Sequence, residues 1–508
     1  MNPVPRPQIH RSRAALAGAV AAGAALGAGE LAAGVLGADP SPVPAVGGRF
    51  VDRFAASLKE FAVSIFGTND KAALVIGTVL VTLALGAATG VAATRHPQWA
   101  IAVFGPFGAF GAWAQTADPK VGAALATIVA VVSVAAGYGT FRLLLGMANE
   151  PADLVEASRR RFLIGVGAVA AVSAGFAAAG RALVHGDVVA AAKAIPLPRP
   201  RRRVAVPDDT AFRVPGASPF VTPTRDFYRI DTALSAPRVD ADGWRLEVGG
   251  LVDHPFSIDY EELLSLPSVE EAVTLQCVSN EVGGDLVGNA VWQGVELATL
   301  LDRAGVQRGA EQVFSRSVDG WTSGFPIDVL DDDRVALVAY AMGGERLPVE
   351  HGFPARLVVS GLYGYVSATK WLSSIELTTW DGADGYWIPR GWAKRAPIKL
   401  TSRIDVPRAG SKVPAGKVWI AGVAWLPSIG VSRVEVSIDD GPWQGCELGR
   451  VAGEQTWVQW RHRWDASPGG HRVRVRAVDT RRERQIEARA QPAPDGATGL
   501  HRVSFEVV

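Results

Sequence analysis

The sequence predicts three parts in series: an N-terminal all-α transmembrane bundle, an α+β domain and a C-terminal β-sandwich. Residues 14–184 consist mainly of Ala, Gly, Val and Leu, whereas residues 200–508 have a mixed composition with most of the tryptophan and charge. After about residue 397, short alternating strands separated by turns replace the mixed pattern, which is typical of a sandwich. The 508 residues are enough for about three or four domains.

The apolar part divides into five segments close to the ~20 residues that a membrane-spanning helix needs. They are Ala14–Leu36, Ala72–Ala93, Trp99–Gln115, Val121–Met147 and Phe162–Ala182. The third segment is short and contains Pro106. Residues 50–66 place apolar residues at helical spacing between charges, which indicates an interfacial helix or an ordinary amphipathic helix outside the membrane. Residues 1–190 are therefore predicted to form a transmembrane region of about five helices, with the lipid bilayer as a partner.

Basic residues beside these segments predict an orientation. With five spans and the N-terminus inside, the basic residues before span one, Arg95, and those at the junction of spans four and five all face the cytoplasm, as the positive-inside rule expects. Residues after about 185 then lie on the extracytoplasmic side of a bacterial cell membrane. Arg201–Arg203 would also lie there, against the rule, although a large exported domain overrides local charge.

The run Ser158-Arg159-Arg160-Arg161-Phe162-Leu163 stands directly before the last predicted span. It resembles the core of a twin-arginine export signal, which carries proteins across a membrane after they have folded. A plain positive-inside anchor is the alternative. The export interpretation predicts that the second half of the chain folds in the cytoplasm around a cofactor.

The second half begins with a linker and continues as two domains. Residues 191–209 are proline-rich and basic, which predicts an extended linker, either solvated or resting on anionic headgroups. Residues 210–395 mix strand-like runs (WRLEVGG, ALVAYAM, ARLVVSG) with helical ones at Asp259–Ser265 and Glu296–Ala304, a pattern that favours an α+β domain. In residues 396–508, Val434–Asp439 and Arg472–Ala477 alternate strictly, as sandwich strands do.

Several kinds of chemistry have no support in the sequence. No His or Cys pair has zinc-ligand spacing, and neither a G-x-S-x-G elbow nor a P-loop occurs. The net charge of +1 gives no reason to expect a nucleic-acid partner. His96 and His185 lie at span ends rather than in mid-helix pairs, so no haem is predicted.

One of the two cysteines has a distinctive setting. In TLQCVSNEVGGDL, residues 274–286, an apolar strand leads to Cys277 and a polar, glycine-rich loop follows. A metal-binding or nucleophilic thiolate fits such a strand end, and a buried inert cysteine is the alternative. Cys446 lies in the other domain, so a disulfide between the two would have to join separate domains.

Three motifs in the second half together resemble the sulfite oxidase family of molybdopterin enzymes. They are DFYRIDTAL at 226–234, TLQCVSNEVGG around Cys277, and HGFPARLVVSGLYGYVSATKWL at 351–372, and the resemblance covers about residues 215–508. It implies a molybdopterin-binding oxidoreductase domain at 210–395 and an immunoglobulin-like dimerisation domain at 396–508, hence a homodimer. It also implies two-electron oxygen-atom transfer on a small oxo substrate and an electron-transfer partner in the membrane or periplasm.

The resemblance assigns roles to individual residues. Cys277 supplies the thiolate ligand to molybdenum and, with Arg229, is expected to be catalytic. The implied cofactor-binding residues are Arg229, Asp231, Cys277, Asp319, His351, Arg356, Ala368, Thr369 and Lys370. Arg356 suits the terminal phosphate of the pterin as a planar, permanently charged fork, and Lys370 suits it as a point charge. The family usually has asparagine and then histidine after the early arginine, where this chain has Ile230 and Asp231.

Other departures concern the substrate. Sulfite oxidases have an arginine in the cysteine loop that binds the oxyanion, whereas this loop has Glu281, which would repel sulfite. Their active-site tyrosine has no match in DGWTSGFP, residues 319–326. A sulfite or sulfoxide-like substrate is expected, with a neutral one favoured. The alternatives are a non-catalytic, membrane-anchored binding or sensor protein with a β-sandwich ectodomain, and a transporter-like core with a sensory domain, against which the scarcity of ionisable residues in the spans argues.

Overall fold

A computed structural model describes residues 10–54, 70–94, 99–118, 121–148, 155–194, 196–206, 210–332 and 334–508. The chain forms two compact units. The first contains Met1–Ala191 and the short segment Thr232–Arg238, and the second contains Ala192–Asp231 and Val239–Val508.

Among the described residues, 11–191 of the first unit are mainly helical, and its short segment Thr232–Arg238 contains no helix or strand. Its helices are α1 (Arg11–Leu36), α2 (Pro42–Phe54), α3 (Asp70–Ala93), α4 (Trp99–Gln115), α5 (Ala123–Ala148) and α6 (Val155–Ala194). In the part of the chain that the structure describes, four helical segments are by length and composition apolar enough to cross a membrane: Arg11–Leu36, Ala73–Ala93, Ala123–Ala148 and Arg159–Leu183. Of the amphipathic helix predicted at 50–66, residues 50–54 belong to α2, and the rest lies outside the described residues.

The remaining predicted span, α4, is helical but short. Its 17 residues extend about 26 Å, less than the ~30 Å of a hydrocarbon core. Among the described residues, α4 is therefore the one of the five predicted spans that falls short of this length.

The directions of the neighbouring helices nevertheless require α4 to carry the chain back from the end of α3 to the start of α5. Close approaches pair Ala14 with Gly90 and Gly23 with Leu83, so α3 runs antiparallel to α1. Close approaches of Gly29 to Ser133 and of Gly137 to Ala25 show that α5 is also antiparallel to α1. Because α3 and α5 run in the same direction, the intervening α4 must run back between them.

Helix α6 runs parallel to α1. Gly27 lies against Ser173, and Gly34 lies against Gly180 seven residues further along both helices. The N-terminal ends of the two helices, with Arg11 in α1 and Arg159–Arg161 in α6, therefore point the same way. The chain leaves the helical unit at the end opposite to the one at which α1 begins.

Small residues allow these helices to approach closely. A side chain on Gly90 would collide with the Ala14 carbonyl, and one on Gly180 would collide with the Glu30 carbonyl, as at other small-residue membrane interfaces. The buried carboxylate of Glu30 accepts hydrogen bonds from Ser41 Oγ (2.8 Å) and the Val43 N–H (3.2 Å). It thereby caps the start of α2.

The second unit begins with an α+β domain built on two sheets. The first sheet has the order β2-β1-β10-β5-β6 and the second has the order β3-β4-β7-β8, with β9 also paired to β7. The strands of the first sheet are β1 (Arg245–Gly250), β2 (Phe256–Asp259), β5 (Gln312–Ser317), β6 (Thr322–Pro326) and β10 (Leu372–Thr378). Those of the second are β3 (Ser268–Gln276), β4 (Val287–Glu296), β7 (Ala336–Met342), β8 (Glu345–Arg346) and β9 (Arg356–Val359).

The helices of this domain are short and mostly begin where the sequence predicted. They are α7 (Tyr260–Ser265), α8 (Leu297–Ala304) and α9 (Gly364–Ser367). Asp259 caps α7 because its Oδ1 accepts the Glu262 N–H at 2.9 Å. The predicted strands WRLEVGG, ALVAYAM and ARLVVSG correspond to β1, β7 and β9.

The C-terminal part is a β-sandwich. One sheet has the order β11-β13-β17-β16 and the other has the order β12-β19-β18-β14-β15. The strands are β11 (Thr401–Val406), β12 (Lys412–Val413), β13 (Gly416–Trp425), β14 (Val431–Ile438), β15 (Gln444–Gly445), β16 (Glu447–Leu448), β17 (Val458–Ala466), β18 (Gly469–Asp479) and β19 (Arg502–Val507). Side chains from both sheets form one buried apolar cluster that includes Ile420, Trp460, Val434 and Val475.

Two residues of the predicted linker are hydrogen-bonded to the α+β domain. The Arg201 N–H donates to the Ser268 carbonyl, and the Arg202 carbonyl accepts the Glu270 N–H, both at 2.8 Å. The Arg202 side chain pairs with Glu271 at 2.6 Å. Residues 201–202 therefore extend the edge of the β3 sheet, because edge strands offer unpaired backbone groups.

Candidate active site

The strand β3 ends at Gln276, immediately before Cys277. The Cys277 N–H donates to the Leu286 carbonyl at 3.0 Å, and the Asn280 N–H donates to the Cys277 carbonyl at 3.1 Å. These bonds close the loop predicted from the sequence. Cys277 is buried with a free thiol, as a soft metal ligand at a strand end would be.

Cys446 is also a free thiol but has a different environment. It packs against the apolar cluster of the sandwich. Burial, together with the nearby Glu435 carboxylate, raises the pKa of its thiol to about 12. Cys446 is therefore protonated at neutral pH and is neither a thiolate ligand nor a disulfide partner of Cys277.

Arg356, the first residue of β9, is a buried cation. Its guanidinium donates to the backbone carbonyls of Leu357 (3.3 Å), His351 (3.2 Å) and Ala368 (3.3 Å). It also lies 4.9 Å from the centre of the Trp292 ring. Burial lowers its pKa to about 10, and no carboxylate forms an ion pair with it in the described part of the chain. Its charge is thus not neutralised by an acid among the described residues.

His351 lies beside this arginine with one unsatisfied nitrogen. Its Nε2 is 3.2 Å from the Thr224 carbonyl, so this nitrogen carries the proton and Nδ1 is left as an acceptor. Nδ1 is buried and has no hydrogen-bond partner. Burial, then the charges of Arg356 and Lys370, lower the pKa of His351 to about 4. The imidazole is therefore neutral at pH 7, and its Nδ1 can accept a hydrogen bond from a ligand.

Aromatic contacts bring the DFYRIDTAL segment to the same place. Phe227 makes edge contacts with Trp292 and His351, with ring centres 5.7 and 5.8 Å apart, and stacks on Tyr228. Burial raises the pKa of the Tyr228 phenol well above its usual range; the neighbouring Cys277 raises it further and Arg356 opposes this. Tyr228 therefore lies within electrostatic reach of both, although the sequence did not single it out.

Asp231 bridges two of the predicted cationic residues. Its Oδ2 lies 3.1 Å from Arg229 Nε and 2.9 Å from Lys370 Nζ. Lys370 also donates to the Glu350 carbonyl at 3.1 Å. Asp231, which stands where the resemblance implies a histidine, thus neutralises part of the positive charge of Arg229 and Lys370.

Ala368 and Thr369 form hydrogen bonds with other residues of the chain. The Ala368 N–H donates to the Gly364 carbonyl at 3.0 Å, and its own carbonyl accepts from Arg356. Thr369 Oγ1 lies 2.7 Å from Ser315 Oγ and 2.8 Å from Ser323 Oγ, which are 3.0 Å apart. These three buried hydroxyls form a ring, and the geometry favours a supporting role for the 368–369 segment.

Asp319 lies in the turn between β5 and β6. Its Oδ1 accepts the Trp321 N–H at 3.1 Å, and the neighbouring Val318 N–H donates to the Trp371 carbonyl at 2.9 Å. The turn thus lies beside the residue after Lys370. The bond to Trp321 is local and is the contact expected of a turn aspartate.

Asn280 is a second site residue that sequence reasoning missed. Its Oδ1 accepts the Leu286 N–H at 2.9 Å, while its buried Nδ2 has no partner. Buried amide donors normally find an acceptor, and this one belongs to the loop of the candidate metal ligand. The only sequence signal was the position of Asn280, three residues after Cys277.

These residues fit the cofactor that the resemblance implies. A buried guanidinium without an acid suits a phosphate, the free Nδ1 of His351 suits a ring N–H, and the Cys277 thiol suits a soft metal. The described residues contain no group of three or more His, Cys, Asp or Glu side chains that could hold a metal ion.

Comparisons with known proteins match the part of the chain that contains Cys277, His351 and Arg356. Residues 233–387 match the family model of the oxidoreductase molybdopterin binding domain. The chain is 38% identical over 156 residues to the uncharacterized oxidoreductase YuiH of Bacillus subtilis (strain 168), covering 31% of this chain and 75% of that protein. It is 30% identical to the sulfite oxidase of Arabidopsis thaliana, covering 44% of this chain and 69% of that protein.

The other relatives are matched over less of their length. The mitochondrial sulfite oxidase of Homo sapiens is 30% identical over 272 residues, which are 45% of this chain and 49% of that protein. The crystal structure of the sulfane dehydrogenase SoxCD from Paracoccus pantotrophus shares the fold, with a TM-score of 0.50 and 22% identity over 56% of this chain and 81% of that chain.

Fold and site therefore define a molybdopterin-dependent oxidoreductase. The chain belongs to the sulfite oxidase family, and the family implies a molybdenum cofactor. This membership decides against the non-catalytic binding protein considered from the sequence. Arg229 and Asp231 lie outside the matched residues 233–387, so their contribution depends on the structure alone.

Proposed function

We propose that this chain is a membrane-anchored oxidoreductase that catalyses two-electron oxygen-atom transfer on a small oxo substrate outside the cytoplasm. The observation that supports this most is Arg356, a buried cation without an ion-pair partner among the described residues, next to the neutral His351. A charge left unpaired in the interior is costly. It is understandable if an anionic cofactor completes the site.

The residues of the chain have distinct roles in this proposal. When bound, the molybdenum cofactor supplies the redox centre for oxygen-atom transfer. Cys277 provides the single protein thiolate to the metal, and Arg356 and Lys370 bind the terminal phosphate. His351 Nδ1 accepts a hydrogen bond from the pterin ring. Residues 368–369 hold Arg356 in place through the Ala368 carbonyl.

The charges near the site favour a neutral, sulfoxide-like substrate over sulfite. Arg229, the arginine implied to be catalytic, is paired with Asp231 at 3.1 Å. Glu281 is exposed on the loop that follows Cys277. The charge of Arg229 is therefore already neutralised, and the negative charge of Glu281 would repel an oxyanion. We therefore expect Arg229 to orient the cofactor or a neutral substrate.

The proposal places the catalytic unit outside the cytoplasm. The parallel directions of α1 and α6 support it, because they send the chain out of the bundle at the end opposite to Arg11. Electrons would then be exchanged with a partner in the membrane or the periplasm. The sandwich would have the immunoglobulin-like, dimer-forming role of the family.

Replacement of Cys277 tests the proposed chemistry. In Cys277→Ser a hard, mostly protonated hydroxyl replaces a soft thiolate, so turnover with a redox dye should vanish while the melting temperature stays near that of the wild type. Cys446→Ala is the matched control and should keep its activity. A Cys277→Ser protein with full turnover would contradict the assignment, and a wild-type protein without molybdenum would contradict the function.

A further inference from the structure

The strand that leads to Cys277 is hydrogen-bonded to the C-terminal sandwich as well as to its own sheet. The Thr274 N–H donates to the Gln455 carbonyl at 3.0 Å. Thr274 Oγ1 accepts the Trp457 N–H at 2.7 Å. All of these atoms lie in the second unit, so β3 is bonded both within its own sheet and to the segment that leads into β17.

The contact continues to the residue next to the thiol. The Trp425 indole N–H, at the end of β13, donates to Gln276 Oε1 at 2.8 Å. Both side chains are buried, with 1% of Trp425 and 3% of Gln276 exposed. A hydrogen bond between two such buried groups is costly to break, because neither group could form a hydrogen bond with water instead.

The sandwich also holds the loop on the other side of Cys277. Arg403 Nη1, from β11, donates to the Gly284 carbonyl at 2.9 Å. The same buried guanidinium is fixed by Asp405 at 2.7 Å and by Ser218 Oγ at 2.9 Å. Its orientation is thus set independently of the loop that it binds.

His501 also contacts the loop that follows Cys277. Its Nδ1 accepts the Ile404 N–H at 3.0 Å, which fixes the ring. The ring lies directly against Gly283, where φ is +85° and any side chain would collide with it. Gly283 is thus required both for its backbone conformation and for its contact with the sandwich.

We infer that Trp425, Arg403 and His501 of the sandwich are positioning residues for the Cys277 thiolate. They fix the chain at residue 276 on one side and at residues 283–284 on the other, so the cysteine loop is held from outside its own domain. Metal and catalytic groups need placement to within about 0.5 Å, and second-sphere contacts provide it. The inference rests on the proposed role of Cys277 as the metal ligand.

A thiol-reactivity experiment tests this inference without the cofactor. The full chain, made in cells that lack the molybdenum cofactor and carrying Cys446→Ala, has one thiol whose alkylation rate reports the freedom of the cysteine loop. Trp425→Phe keeps the ring but removes the donor to Gln276, and should raise the rate roughly fivefold, the effect of about one buried hydrogen bond. Arg403→Lys is the second variant and should act in the same direction.

Trp460→Phe is the matched control. Trp460 is buried in the same sandwich, and its indole N–H has no partner, so this change removes similar volume without loosening the cysteine loop. It should lower the melting temperature as Trp425→Phe does, but leave the alkylation rate at the wild-type value. Equal alkylation rates in Trp425→Phe, Arg403→Lys and Trp460→Phe would overturn the inference.

X-ray absorption of the molybdenum-loaded proteins separates this result from the proposed function. A wild-type spectrum without a protein thiolate would remove the assigned role of Cys277, whatever the alkylation rates. A wild-type thiolate that is lengthened or disordered in Trp425→Phe, but not in Trp460→Phe, would support the positioning role. A signal identical in all three proteins would contradict it.

Discussion

Arg356 differs from the other buried arginines of the second unit in its lack of an acidic partner. Arg403 pairs with Asp405 at 2.7 Å, and Arg476 pairs with Glu435 at 2.7 Å. Arg356 instead donates only to carbonyls in the described part of the chain. Arg403 and Arg476 therefore have their charge neutralised within the fold, which is the basis for the proposed phosphate-binding role of Arg356.

The contrast leads to a prediction for the cofactor content. Arg356→Ala should reduce the bound molybdenum, since removing one partner of a buried charge pair typically costs about 2–5 kcal/mol. Arg356→Lys should restore it only in part because the planar fork is lost. Molybdenum is measured by metal analysis of the purified proteins. Arg476→Ala is the control and should lose stability but not cofactor. Unchanged molybdenum content in both Arg356 variants would contradict the proposed binding of the cofactor phosphate by Arg356.

His351 predicts a dependence of stability on pH. Its pKa is lowered from 6.5 to about 4 in the folded chain, so between these values the unfolded chain binds the extra proton. Stability should therefore fall as the pH is lowered from about 6.5 towards 4, and this contribution should level off below that, with a total on the order of 3 kcal/mol. Tryptophan-fluorescence melting of the cofactor-free full chain measures it.

The control for this prediction is His351→Gln. That variant should show a shallower loss of stability over the same pH range, and the slope that remains should reflect His501, whose pKa is also lowered to about 4 by burial. An identical pH slope in the wild type and the variant would show that His351 does not titrate in this way.

Which site residues could be foreseen depended on the kind of signal. Cys277, Arg356 and His351 were foreseeable because family motifs mark them. Tyr228 and Asn280 were not, since the unpaired Nδ2 of Asn280 results from contacts that only the folded chain creates. Asp231 was expected to bind the cofactor, and its pairing with both Arg229 and Lys370 could not be predicted from sequence spacing.

At the scale of elements, local sequence patterns predicted the strands that bury one face and the residues at which helices begin. The alternation in 434–439 and 472–477 gave β14 and β18 because each strand buries one face, and Asp259 and Glu296 marked the residues before α7 and α8. The docking of residues 201–202 on β3 was missed because it depends on a distant strand edge. The parallel pairing of β1 with β10 joins residues over 120 positions apart, which no local pattern encodes.

The close contact between α1 and α3 can be tested with two glycines of the same helix. A methyl group on Gly90 would collide with the Ala14 carbonyl, whereas one on Gly77 would meet nothing within 4 Å. Gly90→Ala should therefore lower the melting temperature in detergent. Gly77→Ala should leave it unchanged or raise it slightly, since alanine favours helix by about 1 kcal/mol. Equal effects of the two changes would argue against the described contact.

At the scale of the whole molecule, two sequence features point to the same arrangement. Arg11 and Arg159–Arg161 lie at the N-terminal ends of two parallel helices, so both basic clusters belong to one end of the helical unit, as the positive-inside rule expects. The molybdopterin-binding half follows the second cluster. A chain whose cofactor is inserted before export would need a signal at that position.

The export interpretation predicts a requirement for arginine itself. Replacing Arg159 and Arg160 by lysine keeps the positive charge, and with it the orientation of α6, because Lys and Arg count equally for orientation. A twin-arginine signal depends on the arginine pair, so the double variant should fail to export residues 200–508. Protease added to intact spheroplasts should then digest this half in the wild type and spare it in the variant. Equal digestion would show that the basic run is only a cytoplasmic anchor, and protection in both proteins would place the catalytic unit inside the cell.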